Sequence, residues 1–323
     1  MVVAAGGPRD HGEGDDALEQ LLRAGQPADA FDFDGIYLDE IAYDRVTMLR
    51  AKAVLGGSRL IDHHCDVGAF CTSCAANYME LYPFIDSLWY GESFDYDGAT
   101  PDYWLTEISG LVFGLPAEML RYTGSTPMHI RGLAHASTNR WQPSSKGWAP
   151  SEACPDEYAV SPSCDPFDRR DIWRLQSSFG IGASQMVGWW VELEEGPAAL
   201  PVRSSVSTVK VTTYVRKGHS SLIVVANFGS KPTSVHLSFN WTTLGLDTSA
   251  VTLSAPKLQV PVQLGQGALA IGAPIEVPAL TRGAIRDSRE GVILLLKSQA
   301  KEAVVRRASG TRCVESHRCV HIT

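Results

Sequence analysis

The sequence predicts an α/β part followed by an all-β part: the later strands of a (β/α)8 TIM-type barrel, then a C-terminal antiparallel β-sandwich. Three observations carry this reading. Between residues 35 and 191, strand-sized apolar runs alternate with segments of helical spacing, as repeated βα units do. After residue 200 the apolar residues recur at every second position, the pattern of strands with one buried face. The chain has 323 residues, enough for about two domains.

The α/β part begins after a lead-in, residues 1–30, that is rich in Gly, Ala, Asp and Glu and is expected to be flexible. Gly35 to Leu38 is an apolar run closing on Asp39 and Glu40. Asp44 then stands where a helix N-cap belongs, before Val46, Leu49, Ala53 and Val54 at helical spacing. Arg59 to Asp62 reads as the next strand, which completes one strand–helix–strand unit. Cys74 to Leu81 reads as a helix and Phe84 to Tyr90 as a strand closing on Gly91-Glu92. Pro101 suits the first turn of a helix running to Ser109. Leu111 to Leu115 and Met128 to Ala134 are further strand candidates, Asp171 to Phe179 is a helix, and Met186 to Val191 is the last apolar run. Five strands in residues 31–192 fall short of eight, so the front of a full barrel is expected to be missing.

The all-β part spans residues 200–298. Val209, Val211, Thr213 and Val215 alternate with Lys210, Thr212, Tyr214 and Arg216. Leu222 to Phe228 follows, then a Gly229–Pro232 turn and the alternating Val235, Leu237 and Phe239. Further strands are expected near 251–253, 258–262, 274–277 and 292–296. Residues 299–323 lose all apolar periodicity and read as a disordered tail.

Composition narrows the function. Net charge is −8 with no basic cluster, which argues against binding nucleic acid through its phosphates. The longest apolar runs are strand-sized, so no membrane span and no membrane partner are expected. Met1 to Gly7 lacks a basic n-region and a long h-region, so it is not a signal peptide; a secreted precursor missing its front would look the same. Seven cysteines cannot all pair within one chain; Cys154 and Cys164 are a candidate disulfide in an oxidising compartment. Asn240-Trp241-Thr242 is a glycosylation sequon if the chain is secreted.

The residues that point to chemistry cluster at strand ends. In parallel α/β folds, working groups sit at the carboxyl ends of strands. Asp39 and Glu40 fall together at such an end. Glycoside hydrolysis needs a proton donor for the leaving oxygen and a second negative group near the oxocarbenium-like centre. The second group is either a direct nucleophile or a carboxylate that orients a substrate acetamido group. An adjacent Asp-Glu pair suits the second scheme, and the competing reading is a pair of solvated loop carboxylates. Glu92, beside Gly91, is the candidate carboxylate of the next strand end but one. Tyr37, Asp62, Trp89, Tyr90 and Glu118 are expected to line the same mouth and bind substrate, with Trp89 or Tyr90 as a sugar platform. Trp104, Trp141, Trp148, Trp189 and Trp190 are further possible platforms, most of which read more safely as core. His63, His64, Cys65, Cys71 and Cys74 include a Cys-x-x-Cys spacing but lack the clean second pair of a structural zinc site. No metal and no cofactor are therefore expected.

Three strings bear a more specific likeness: Gly35-Ile36-Tyr37-Leu38-Asp39-Glu40-Ile41-Ala42-Tyr43-Asp44-Arg45, Tyr78 to Asp86, and Trp89-Tyr90-Gly91-Glu92-Ser93-Phe94-Asp95-Tyr96. With Pro101 to Gly110 and Glu118 to Leu120, they resemble glycoside hydrolase family 123. The resemblance spans about residues 33 to 298. It implies a carbohydrate substrate and β-N-acetylhexosaminidase-like activity with substrate assistance, Asp39 orienting the acetamido group and Glu40 protonating the leaving oxygen. The sequence departs from the family at His63 to Asp66, in the cysteine-bearing segment after it and between Ser144 and Cys164. It also lacks the family's upstream portion. The alternative is an inactive truncated homologue acting as a carbohydrate-binding or interaction protein.

Overall fold

A computed structural model describes residues 2–5, 35–39, 44–55, 60–65, 79–90, 98–111, 114–119, 129–139, 170–256, 267–279 and 290–299. The first half builds one parallel sheet of six strands in sequential order: β1 (Val2–Ala5), β2 (Gly35–Asp39), β3 (Leu60–Cys65), β4 (Ser87–Tyr90), β5 (Ala117–Met119) and β6 (Thr138–Asn139). Every neighbouring pair is parallel. Among the described residues β6 does not pair back to β1, so the sheet is open. The lead-in is expected to be flexible, yet Val2–Ala5 is a short apolar strand paired along the edge of β2.

Helices cover one face of this sheet. Helix α1 (Arg45–Leu55) is capped by Asp44, whose Oδ1 accepts from Val46 N at 2.7 Å and Thr47 N at 3.0 Å. The cap reading of Asp44 holds, and the bond from Thr47 holds its carboxyl below the usual carboxylate range. Helix α2 (Pro101–Glu107) starts on Thr100, whose hydroxyl accepts from Tyr103 N, with the proline in the first turn as expected. Between sheet and helices lie Ile36, Leu38, Met48, Ala51, Leu88, Tyr90, Trp104, Ile108 and Ala117, all buried. Lys52 anchors α1 across the layer by an ion pair to Asp86 at 2.8 Å.

Three strand expectations change here. Residues 79–84 form a 3₁₀ helix around Pro83, so the strand begins only at Ser87. A proline lacks the N–H that a sheet ladder requires. Of the strand expected at 111–115, residues 112 and 113 lie outside the described residues. Gly114 is left-handed at φ 70° and its N–H bonds back to the Leu111 carbonyl at 3.1 Å, and the strand is β5, which begins at Ala117. Met128–Ala134 is not a strand: residues 129–134 form helix α3 (His129–Ala134). Its Ile130, Leu133 and Ala134 are buried at i, i+3 and i+4, against the second half of the molecule.

The second half is built on an antiparallel sheet. Its strands are β7 (Gln185–Val187), β9 (Val209–Arg216), β10 (Ser220–Asn227), β13 (Val251–Ala255), β14 (Gly267–Leu269) and β16 (Gly291–Ser298), in the order β14-β13-β16-β10-β9-β7. Two two-stranded ribbons accompany it: β8 (Val202–Ser204) with β12 (Leu237–Phe239), and β11 (Thr233–Val235) with β15 (Ile275–Val277). Residues 235–239, expected as one strand, therefore divide between two ribbons. The run at 186–191, expected to end the parallel region, instead gives β7, which pairs antiparallel with β9.

The main sheet is covered on both faces, which antiparallel sheets often are not. On one face Val211, Val215, Ile223, Val225, Val292, Leu294 and Leu296 meet Val202, Val235, Leu237, Ile275 and Val277 of the ribbons. On the other, Tyr214, Leu222, Val224, Ala226 and Ile293 meet α3 and helix α4 (Arg170–Phe179), through Ile130, Leu133, Ile172 and Phe179. All eight residues of β10 are buried. Helix α3 thus belongs to the parallel sheet by sequence and to the antiparallel sheet by packing.

Candidate active site

The parallel register sets the candidate residues side by side. One cross-strand row runs Asp39, His64, Trp89, Glu118 and Thr138. It lies at the carboxyl end of β2 and within one residue of the carboxyl ends of its neighbours, the end at which parallel α/β folds place their chemistry. Two residues earlier, a second row runs Tyr37, Asp62 and Ser87. Strand side chains alternate between faces. Leu38, Leu88 and Ala117 pack under the helices; Tyr37, buried between Ile36 and Leu38, takes the opposite face.

The sequence-predicted residues separate accordingly. Asp39, Trp89 and Glu118 share one row, and Tyr37 and Asp62 share the row beneath it. Tyr90 does not join them: it is fully buried in the core beside Leu88 and Trp104, and burial pushes its phenol pKa well up. It has the parity of Leu88, so it faces the helices rather than the mouth. Glu40 and Glu92 lie outside the described residues, as do Cys71, Cys74, Cys154 and Cys164.

Strand spacing tests which carboxylates can cooperate. Adjacent strands lie about 4.8 Å apart. Glu118 is three strands from Asp39, about 14 Å along the sheet. Paired glycosidase carboxylates are typically separated by about 5 to 9.5 Å. Glu118, half-buried, therefore stands too far along the sheet to form such a pair with Asp39.

A polar cluster that the sequence did not single out lies where α3 meets the antiparallel sheet. His135 follows α3 and is completely buried. It stacks between Trp104 (5.7 Å, 18°) and Trp190 (5.9 Å, 11°), with Trp189 and Phe228 edge-on. Trp189 Nε1 donates to His135 Nε2 at 3.1 Å, which leaves Nδ1 as the donor to the Arg131 carbonyl at 2.8 Å. Burial lowers the His135 pKa to about 4, so the ring is neutral near pH 7. Beside it, Arg131 and Glu290 are both buried, with Arg131 Nε 3.4 Å from Glu290 Oε2. The partners are 159 residues apart in the chain, so no local sequence signal joins them. Trp104 and Trp189 are core, as expected. The sequon's Asn240 is a helix cap: its Oδ1 accepts from Thr243 N and its Nδ2 donates to the Ala198 carbonyl.

Among the described residues no group of three or more His, Cys, Asp or Glu is placed to hold a metal ion, and no helix is long and apolar enough to cross a membrane.

Comparison with known proteins adds the remaining evidence. Residues 25–142 match the family model of the glycoside hydrolase 123 TIM-barrel domain. Residues 168–284 match that of the glycoside hydrolase 123 C-terminal domain. The second match includes α4 and β7, in agreement with their packing on the antiparallel sheet. No curated protein matches the sequence. Two solved structures are distantly similar. Abp-WT, a GH27-b-L-arabinopyranosidase from Geobacillus stearothermophilus, is 12% identical, with a TM-score of 0.37 over 88% of this chain and 60% of its own. Alpha-galactosidase I from Mortierella vinacea is 11% identical, with a TM-score of 0.26 over 88% of this chain and 91% of its own. The chain thus spans 60% of the length of the arabinopyranosidase.

Proposed function

This chain belongs to the glycoside hydrolase 123 family, and from that premise we propose that it hydrolyses β-N-acetylhexosaminides by substrate assistance through Asp39 and Glu40. Its function is glycoside hydrolase-like. The observation that carries the finer reading is the position of Asp39 at the carboxyl end of β2, in one row with Trp89 and Glu118. In this reading the parallel strands are the later part of a (β/α)8 barrel, and the antiparallel sheet with its ribbons is the β-sandwich that follows.

The roles follow from charge. Glu40, protonated, gives its proton to the glycosidic oxygen as the C1–O bond breaks. The substrate's own acetamido oxygen attacks C1 and forms a cyclic oxazolinium intermediate. Asp39, ionised, accepts a hydrogen bond from the acetamido N–H and stabilises the positive charge that develops on that group. Glu40, now ionised, takes a proton from water as the water opens the ring. Glu92 is the additional carboxylate, and Tyr37, Asp62, Trp89 and Glu118 bind the sugar. The open sheet favours a second reading, a carbohydrate-binding protein without activity, because an open wall leaves the mouth wet and weakens its electrostatics.

Aryl N-acetylgalactosaminides and N-acetylglucosaminides test the proposal. The parent is expected to hydrolyse at least one of them, with Glu40→Gln and Asp39→Asn each slower by about 100-fold or more. A folded parent that binds the sugars in titration but cleaves none supports the second reading.

A further inference from the structure

We infer that the Arg131–Glu290 pair is a positioning device: it docks α3 on the antiparallel sheet in one register and so sets β6 and the far wall of the carboxylate row. Glu290 immediately precedes β16, a central strand of that sheet. Its Oε1 accepts from the Arg131 backbone N–H at 3.0 Å, near the start of α3. Its Oε2 lies 3.4 Å from the guanidinium. Arg131 Nη2 in turn donates to the Asn227 carbonyl at 3.1 Å, at the end of β10, and the guanidinium lies over the Phe228 ring at 4.6 Å. The Asn227 backbone N–H closes the circuit on the Glu290 carbonyl at 2.7 Å.

The far end of α3 is held by the same sheet. Thr212 Oγ1 donates to the Ala134 carbonyl at 2.7 Å, and the Tyr214 hydroxyl to the Leu133 carbonyl at 2.6 Å. Both carbonyls belong to the last turn of the helix, where backbone acceptors need partners from outside it. Strand β9 supplies a side-chain hydroxyl to each, that of Leu133 also accepting from the Ala136 N–H. The chain then turns rigidly into β6. Ser137 N bonds to the Gly132 carbonyl at 2.8 Å and Ala136 N to that of Leu133 at 3.4 Å, with Ala136 left-handed at φ 60°, which is a Schellman ending. Thr138, the next residue, is the register partner of Glu118. A fixed path therefore runs from Glu290 through α3 to the row that contains Asp39.

The choice of a buried ion pair for this joint has a physical reason. Replacing such a pair with apolar residues of similar size is often neutral or stabilising. An apolar face alone would let α3 slide on β10, whereas two charges that must meet admit one alignment. The functional part of this inference rests on the glycosidase reading; the structural part does not.

Amide hydrogen exchange on the full chain tests the joint without any substrate. In Glu290→Gln, exchange is expected to quicken at least tenfold across 129–139 and 117–119, while 209–216 and 220–227 keep their protection. Unchanged protection at 117–119 and 138–139 overturns the inference. Arg131→Lys keeps the charge but loses the reach to Asn227; it gives the same test if Glu290→Gln does not fold. If both variants fold, exchange across 129–139 is expected to be slower in Arg131→Lys than in Glu290→Gln. Glu276→Gln, an exposed change in the same half, is the control and leaves exchange unaltered. In the same samples, kcat on an N-acetylhexosaminide that the parent cleaves is expected to fall at least tenfold in Glu290→Gln, with KM within about twofold. If kcat per folded molecule stays within twofold of the parent, the pair supports folding alone and the inference fails, while the glycosidase reading stands. If the parent cleaves nothing but the exchange changes as expected, the joint stands and the glycosidase reading fails.

Discussion

Ala136 sits where a glycine would cost nothing. Its φ of 60° is the only left-handed value at a non-glycine among the described residues, and a side chain there costs roughly 1–2 kcal/mol. Ala136→Gly is expected to raise stability by about 1 kcal/mol, the gain offset in part by glycine's greater freedom when unfolded. Urea unfolding checks this, and an unchanged midpoint would show that α3 can end in another way. Gly291 presents the opposite case. A Cβ there would collide with the Val225 carbonyl oxygen and with the Ile130 side chain, so Gly291→Ala is expected to destabilise by about 1–3 kcal/mol. The cap at Asp44 was legible from sequence because its partners are two and three residues away. His135, Arg131 and Glu290 were not, because what defines them is contact across 54 and 159 residues. Tyr90 was assigned to the mouth because sequence offers two adjacent aromatics and only the strand's phase chooses between them.

Elements were legible where a local signal, a cap or a sustained alternation, marks them. Helix α1 forms where Asp44 starts it, but Val46 and Leu49, read as part of its apolar stripe, are exposed, and Met48, Ala51 and Leu55 are buried instead. Strand β9 lies on the alternating run read as a strand, although both of its faces are buried. Met128–Ala134 misled because seven residues with Ile130, Leu133 and Ala134 fit a short strand almost as well as a short helix. The structure decides for the helix because those three residues fill the face of the antiparallel sheet. The single strand expected at 235–239 failed for another reason: His236 marks the break where the chain leaves one ribbon for the other, and its N–H bonds to Ser205 Oγ. Leu133→Ala tests the weight of the α3 contact. Leu133 is 2% exposed, and its truncation is expected to cost about 2–4 kcal/mol, measurable as a lower thermal midpoint. A loss under about 1 kcal/mol would mean that the interface collapses to fill the space.

At the scale of the whole molecule, the two halves are joined through a histidine that must stay neutral. The folded state holds His135 at a pKa of about 4 against its ordinary 6.5. Between those values the unfolded chain binds a proton that the folded chain does not. The stabilisation is therefore complete above pH 6.5 and is lost as pH falls toward 4, by about 2 kcal/mol between pH 7 and pH 5. Urea midpoints at the two pH values measure it, and His135→Gln, which still offers a donor and an acceptor, is expected to flatten the dependence. The order of the two parts was legible in the sequence, because the change from helical to alternating spacing is sharp. Their junction was not, since α4 and β7 carry no mark of which sheet they will join.

The ring of indoles around that histidine has a practical consequence. Three of the eight tryptophans, Trp104, Trp189 and Trp190, have their rings within about 6 Å of one imidazole. A protonated imidazole accepts an electron from an excited indole far more readily than a neutral one, and so darkens it. The intrinsic emission of the chain should therefore dim as His135 takes up its proton. Light from the molecule's own side chains would then report, in real time and without a label, whether its two halves are still closed upon each other.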